Sequence, residues 1–556
     1  MANMWGGSSW NQKDDHATSS TASPAAGEKR VSRATARLKI ATPMKMTERN
    51  QTMFASISPS IASRMAFLYR PLSRSQVSLF YVIAALIFIL PLLLNNYLYI
   101  DDTWRTLKAS TGWQAEGRMV ANLIINLLSV TAAEPNLFPL PLLGAALIIA
   151  LTLARLAFFW FRDPNLIDCL TLLPLWYNPF FLQLLSYQYD CVTATISLSA
   201  MIMAITFSRR ATWLHFLASG VCVAAALGIY QISLHVFTGL AGAYLLYQLS
   251  CQCSPQRLLR LVLFFVGSLL LGGILYFLTF FQMITHDRGG VVLLGLPDLL
   301  FRFTYYYSRV AFFITPLNAA IFLPLAVISL VGMVQGGVMA IVASSRGGKL
   351  LTTGLLVLAL AAVILSLPGI GLIVADYEDN AGARILMGAG PLLVVLLLFF
   401  QRALQVVDRR LSLLMVLPLW VVLSFSFSYG NVMHQKQMNE TMLLNLLVGD
   451  INQHDSLYQA EKIYIDNETN QYSNLFPVNC AVRQLPALGY VFESRYVVLP
   501  EQLEMSGIRN TAIGRVPPPQ DAGVLLRRKF WTIYTDGKNA WIVFNQIMPA
   551  DNPCSN

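Results

Sequence analysis

Charge is scarce in this 556-residue chain: Asp, Glu, Lys and Arg make up 12 % of it, against about 25 % in a typical soluble protein. Hydrophobic residues reach 55 % and gather in long blocks, so an ordinary soluble domain is excluded as the main body. Several catalytic signatures are missing as well. The sequence holds no GxxxxGK[ST] loop to cradle nucleotide phosphates, no HExxH zinc helix and no GxSxG nucleophile elbow. The glycine pairs in MVQGGVMA and SSRGGK lack a strand-to-helix setting, and energy from ATP is not implied. Cysteine is sparse, at seven residues. Cys169, Cys191, Cys222, Cys251 and Cys253 lie in or beside apolar segments and read as free thiols, because Cys251-x-Cys253 has no second pair to complete a zinc site. Cys480 and Cys554 stand apart, near the end, and in an oxidising compartment could close a disulfide. No apolar stretch follows the first charges closely enough to make a cleavable signal peptide.

What is present is a series of apolar blocks, each near the ~20 residues that a helix needs to cross a bilayer. They fall at 77–97, 138–160, 165–185, 190–208, 213–231, 233–249, 260–281, 312–335, 350–374, 386–401 and 411–429, eleven in all. The segment 165–185 is broken by PLWYNP. Lys and Arg accumulate in short cytoplasmic loops. With the N-terminus inside, Arg155 and Arg162, Arg209 and Arg210, Arg257 and Arg260, Arg346 and Lys349, and Arg402, Arg409 and Arg410 all fall on that side. The expectation is an all-α polytopic membrane protein of about eleven spans. Residues 1–76, with eleven Lys/Arg against four Asp/Glu, read as a disordered basic cytoplasmic tail, and 77–429 as the transmembrane body. Residues 430–556 change texture to short alternating runs such as YVFESRYVVLP and KFWTIYTD, a small outer α+β domain. The net charge of +10 follows this topology rather than clustering with aromatics, which argues against a nucleic-acid partner.

Four polar clusters then face outward. YIDDTWR and KASTGWQAEGR bring Asp101, Asp102, Arg105, Glu116 and Arg118 together ahead of MVANLIINLLSV, a stretch suited to a short interfacial helix. SYQYD ends at Asp190, at the mouth of the fourth span; THDRGG leads through FRFTYYYSR to Arg309; and ADYEDNAGAR carries Glu378, Asp379 and Arg384. Ionisable groups at membrane depth usually face a cavity or a partner. Group transfer to a hydroxyl needs a base within hydrogen-bond reach, for which Asp is suited. A departing phosphate needs cations rather than an acid, and Arg supplies them. Asp and Arg at a membrane interface therefore suit an enzyme that takes its donor from a lipid phosphate.

YIDDTWR with GWQAEGR, SYQYD before an apolar span, GIYQISLHVF at 228–237, DNAGAR at 379–384 and SFSYGNVMHQKQMNE at 426–440 together resemble the Gtr-type polytopic glucosyltransferases that modify O-antigen in serotype conversion, within the GT-C class. The resemblance spans about residues 77–556 and leaves the basic tail unexplained. It implies an undecaprenyl-phosphate sugar donor, lipid-linked O-antigen or a related envelope glycan as acceptor, and a bacterial inner membrane location with the chemistry on the periplasmic face. An upstream lipid-phosphate glucosyl synthase and a flippase would supply the donor. Asp101 or Asp102 would be the base, with Asp101 nearer the hydrophobic edge. Arg118 and Arg384 would hold the donor phosphate, with Arg105, Glu116, Asp190, Arg309, Glu378 and Asp379 as further substrate contacts. Gln188 stands where an arginine could be expected, which removes one cationic contact. No cofactor is required, no metal site is recognised, and a divalent cation could join the two aspartates with water. A transporter or flippase, or a non-catalytic assembly protein using Phe530, Trp531 and Tyr534 as a sugar-stacking surface, are the competing classes. A transporter would depend on mid-span polar groups, and the spans show no inverted repeat.

Overall fold

The computed structural model describes residues 66–210, 212–284, 290, 292, 294–375, 382–466, 479–493, 496–512 and 516–545. The SPSIASRMAFLY stretch lies mostly outside them, as does most of the basic tail, and a helix already begins at Arg74.

Among the described residues, nine helices are long and apolar enough to cross a membrane: Arg74–Asn95, Leu140–Trp160, Asp190–Arg209, Gln231–Ser250, Pro255–Met283, Pro316–Ala343, Gly348–Leu365, Ala383–Val407 and Arg409–Gln453. The chain is thus a mostly α-helical, multi-pass membrane protein. The two remaining expected spans take another form. Trp213–Leu227 is a helix of 15 residues, about 22 Å at 1.5 Å per residue, shorter than the ~30 Å hydrocarbon core. The 165–185 segment breaks, for a reason written in its sequence: Pro174 and Pro179 each remove an amide donor, so Leu166–Leu172, a 3-10 turn at Leu173–Leu175 and Leu182–Ser186 replace one helix. Its irregular middle is buried and satisfied by neighbours. The Tyr177 hydroxyl donates to the Ala84 carbonyl at 3.0 Å, and the Asn178 amide donates to the Met387 carbonyl at 3.4 Å. Non-helical backbone at membrane depth needs such burial. The segment still connects opposite ends of the helix body: Asp168 accepts from Gln401 at 3.1 Å beside the arginine-rich ends, and the Gln188 amide reaches Asp102 at the other.

The first long helix, α1 (Arg74–Asn95), is started by a capping box between Ser73 and Gln76 and ends at Asn96 in the left-handed conformation. It crosses the last, α2 (Val416–Gln453), where Pro91 meets Gly430; a Cβ on Gly430 would sit 2.3 Å from that of Pro91. The Asn95 amide donates to both the Pro91 and Gly430 carbonyls at 2.7 Å. This crossing presses the start of the loop that follows α1 against α2.

Helix α2 runs 38 residues, so residue 430, expected to open a new domain, lies inside it. Beyond α2 comes a five-stranded mixed sheet, with β1 Ile463–Asp466, β2 Thr511–Ala512, β3 Gly523–Arg527, β4 Trp531–Thr535 and β5 Ala540–Phe544 in the order β2-β1-β5-β4-β3. β1 is parallel to β2 and β5, and the rest pair antiparallel. One face packs on Leu443, Leu447 and Ile451 of α2. Trp531 belongs to that core, its indole donating to Asp450 at 3.0 Å, so it offers no stacking surface to a sugar.

Candidate functional site

The loop between Asn95 and Leu140 folds around its own charges. Asp102 opens the short helix Asp102–Lys108 and is 0 % exposed. Its carboxyl accepts from the amides of Tyr99 at 3.2 Å and Gln188 at 2.8 Å, which ties YIDDTWR to SYQYD. Burial pushes this carboxyl up to about 8, against the lowering effect of Arg105 and of the two amide donors. The native state therefore binds a proton that the unfolded chain has lost above about pH 4. Stability from this group is full below that pH and falls as pH rises toward 8. We predict that the thermal midpoint of the detergent-solubilised protein drops more between pH 5 and 8 in the wild type than in Asp102→Asn; equal slopes would refute it.

Asp101 differs from its neighbour: its side chain is 41 % exposed, and one oxygen lies 3.4 Å from Arg105. Arg105 is buried between the rings of Trp104 and Trp113, 5.5 and 5.2 Å away, and its other terminal nitrogen pairs with Asp190. Arg118 reaches the second oxygen of Asp190 at 3.3 Å, approaches Glu116 at 3.7 Å and lies over the Tyr230 ring at 5.1 Å. Asp190 thus pairs with two guanidiniums from two parts of the loop between Asn95 and Leu140. The Glu134 carboxylate accepts from the Thr111 amide and the Tyr189 hydroxyl donates to the Glu134 carbonyl at 3.1 Å, fixing the loop from behind.

Arg384 enters from another element, the 3-10 turn Ala383–Gly388 that leads into Ala389–Val407. Its amide donates to Gln183 at 2.7 Å, and its guanidinium donates to the Tyr187 hydroxyl at 3.3 Å. Among the described residues it has no ion-pair partner. Tyr187 accepts from Arg384, packs edge-on against the Tyr99 ring at 4.7 Å and directly precedes Gln188, whose amide reaches Asp102, and so marks where the elements converge. Glu493 ends the helix Pro486–Phe492 in left-handed conformation and accepts from the Gln183 amide. The Tyr99 hydroxyl donates to the carbonyl of Phe492, next door. The region beyond α2 therefore contributes directly to the cluster.

Arg309, on the helix Leu296–Ala311, lies over the rings of Tyr305, Phe312 and Tyr490 at 4.3, 5.2 and 5.7 Å and also has no ion pair among the described residues. Tyr490 is close to both Arg309 and Glu493. His235 accepts from the Ile370 amide at 2.9 Å and packs between helices, with Gly369 at φ 45° so near that a Cβ would overlap the imidazole. Gln188 donates to Asn96 at 3.0 Å and serves the loop. Glu378, Asp379 and most of THDRGG lie outside the described residues. Cys480 is disulfide-bonded, and Cys554 lies outside the described residues; the other five cysteines are free thiols. Among the described residues no three His, Cys, Asp or Glu side chains come together as metal ligands.

Sequence reading missed Gln183 and Glu493. Gln183 had a signal, a polar residue in the apolar run PFFLQLL; Glu493 in FESRY had none, because its place is set by tertiary packing.

A family model described as Glucosyl transferase GtrII matches residues 90–395. A protein of Salmonella phage P22, described as an uncharacterized 55.3 kDa protein in the gtrB 5′ region, is 26 % identical over 192 residues. That match covers 34 % of this chain and 40 % of the phage protein, so the chain spans less than half of that relative's length. No solved structure matches.

Proposed function

The chain belongs to the Glucosyl transferase GtrII family, and from that premise we propose that it transfers a sugar, glucose, from undecaprenyl phosphate to lipid-linked O-antigen or a related envelope glycan on the periplasmic face of the bacterial inner membrane. In this reading the N-terminus is cytoplasmic, and the cluster around Tyr187 is the active site. A GT-C-like helical body with its chemistry at one end is consistent with it. The observation that carries the proposal is a half-exposed carboxylate, Asp101, on the loop that Asp102 ties to Gln188, beside an arginine, Arg384, that donates to Tyr187 of the same SYQYD stretch and forms no ion pair among the described residues.

The chemistry balances without a cofactor. The acceptor hydroxyl attacks the anomeric carbon as the bond from that carbon to the phosphate oxygen breaks. The electron pair leaves with the lipid phosphate, and the hydroxyl proton passes to Asp101. One displacement inverts the anomeric centre. Arg384 is the leading candidate to stabilise the departing phosphate, with Arg309 second, because each guanidinium lies over aromatic rings and forms no ion pair among the described residues. Arg105 and Arg118 are engaged with Asp190 and hold the loop in shape. A divalent cation is an optional aid to the phosphate in this scheme, and a chelator tests it. The position of the P22 relative in a gtrB 5′ region supports a series in which a lipid-phosphate glucosyl synthase and a flippase supply the donor.

Glycan mass spectrometry of lipopolysaccharide tests the proposal. Cells with the intact chain are expected to show a hexose-sized mass increment that is lost on deletion and restored by complementation. Identical spectra would move the acceptor to another envelope glycan or the class to transport.

A further inference from the structure

A polar cavity that shares no residue with this cluster lies at the arginine-rich end of the helix body. It has a volume of about 320 Å³ and opens where Leu140–Trp160, Leu234–Ser250 and Ala389–Val407 end. Tyr69, Asp168, Tyr247, Gln401, Arg402 and Arg409 dominate its lining. That volume falls at the lower end of the ~300–1,000 Å³ of small-molecule sites.

The charges inside are arranged unusually. The Arg402 guanidinium donates to the Ser250 hydroxyl, lies over the Tyr247 ring at 4.6 Å and reaches the Cys251 sulfur at 3.2 Å, so neutral groups hold it in place. Arg409 is exposed, and among the described residues its guanidinium has no ion pair. Asp168 is buried, with one oxygen accepting from Gln401 at 3.1 Å and the other from the Asn165 amide at 3.2 Å. Both of these contacts are neutral donors, and among the described residues no cation pairs with it directly. One cavity therefore offers two guanidiniums to an anion and a carboxylate to a cation.

We infer that this cavity binds the headgroup of a zwitterionic phospholipid, with its phosphate at Arg402 and Arg409 and its ammonium at Asp168 beside the ring of Tyr69. Guanidinium recognises phosphate through paired hydrogen bonds, and an ammonium gains from a carboxylate and a ring face together. Basic pockets between transmembrane helices at the cytoplasmic interface are placed for lipid headgroups. Asp168 sets the class: a purely anionic headgroup or free phosphate would meet its repulsion, and a primary ammonium on the same molecule removes it. The site is independent of the sugar-transfer reading, since it uses none of the residues around Tyr187.

The test is native mass spectrometry of the delipidated full chain offered phosphatidylethanolamine, phosphatidylglycerol and inorganic phosphate at equal concentration. The wild type is expected to retain phosphatidylethanolamine over phosphatidylglycerol by about threefold or more, and Arg409→Gln to lower retention of both by about fivefold. Asp168→Asn should erase the preference while phosphatidylglycerol still binds. Because Asp168 also caps a helix, Arg409→Gln carries the test if that variant does not fold. Retention unchanged by Arg409→Gln, a preference for phosphatidylglycerol, or equal binding of inorganic phosphate would each overturn the inference.

Discussion

A chain carrying Asp101→Asn, inserted at the wild-type level, is expected to lose hexose transfer by about 10²- to 10⁴-fold, the usual contribution of a positioned general base. Asn keeps the size of the side chain and a contact to Arg105, so the loop geometry should survive, and what disappears is the ability to accept the hydroxyl proton. The adjacent Asp102 cannot play this part as the loop stands. It is fully buried, its oxygens are occupied by backbone amides, and its carboxyl is held protonated near neutral pH. Asp102→Asn, which keeps a neutral group and an acceptor for those amides, should therefore change the activity per folded molecule much less. Mass spectrometry of the glycan, normalised to inserted protein, separates the two. An Asp101→Asn chain that transfers hexose normally, beside an Asp102→Asn chain that does not, would exchange their roles.

Asp190→Asn should be the most disruptive single change in the cluster. Removing one partner of a buried pair costs about 3–5 kcal/mol, because the other charge stays behind uncompensated. Here two guanidiniums would be left: Arg105, 4 % exposed with only Asp101 at 3.4 Å, and Arg118 with Glu116 at 3.7 Å. Expected outcomes are a marked drop in thermal midpoint, less inserted protein and near-complete loss of transfer. Arg105→Gln alone should also be destabilising, yet the double variant Arg105→Gln/Asp190→Asn should be less so than the sum of the singles, since each removes the other's stranded charge. Strict additivity would mean that the contact carries no coupling energy and that the loop is held by its hydrophobic anchors, Trp104 and Trp113.

Much of this was legible in the sequence because membrane residues obey coarse rules. Apolar length and arginine placement give the helices and the two ends. They do not tell a continuous helix from a broken one, and the Pro174–Pro179 segment shows why: buried polar contacts, such as Asn178 with Met387, replace the missing backbone bonds. The change of composition at 430 suggested a boundary, but Leu443, Leu447 and Ile451 continue a four-residue stripe that the sheet covers, so the helix runs on to Gln453. In the cluster, Asp101, Arg105, Arg118, Asp190 and Arg384 stood out as charges in an uncharged chain. Their pairing did not: Arg118 is more engaged than its motif suggested, and Arg384 less. Glu378 and Asp379 remain expectations from sequence.

The direct way to build hybrids with a relative is to exchange everything after the last long helix. The clasp of Tyr99 on Phe492 and of Gln183 on Glu493 sets a condition on that exercise. A cassette cut at residue 453 would carry Phe492 and Glu493 but leave their hosts behind. Lys436, which pairs with Glu440 at 3.0 Å and donates to the Tyr496 carbonyl, would likewise be split from one of its partners. Functional hybrids should arise when 95–105 and 183–187 travel with the C-terminal segment, so that the unit of inheritance here is discontinuous in sequence and continuous only in space.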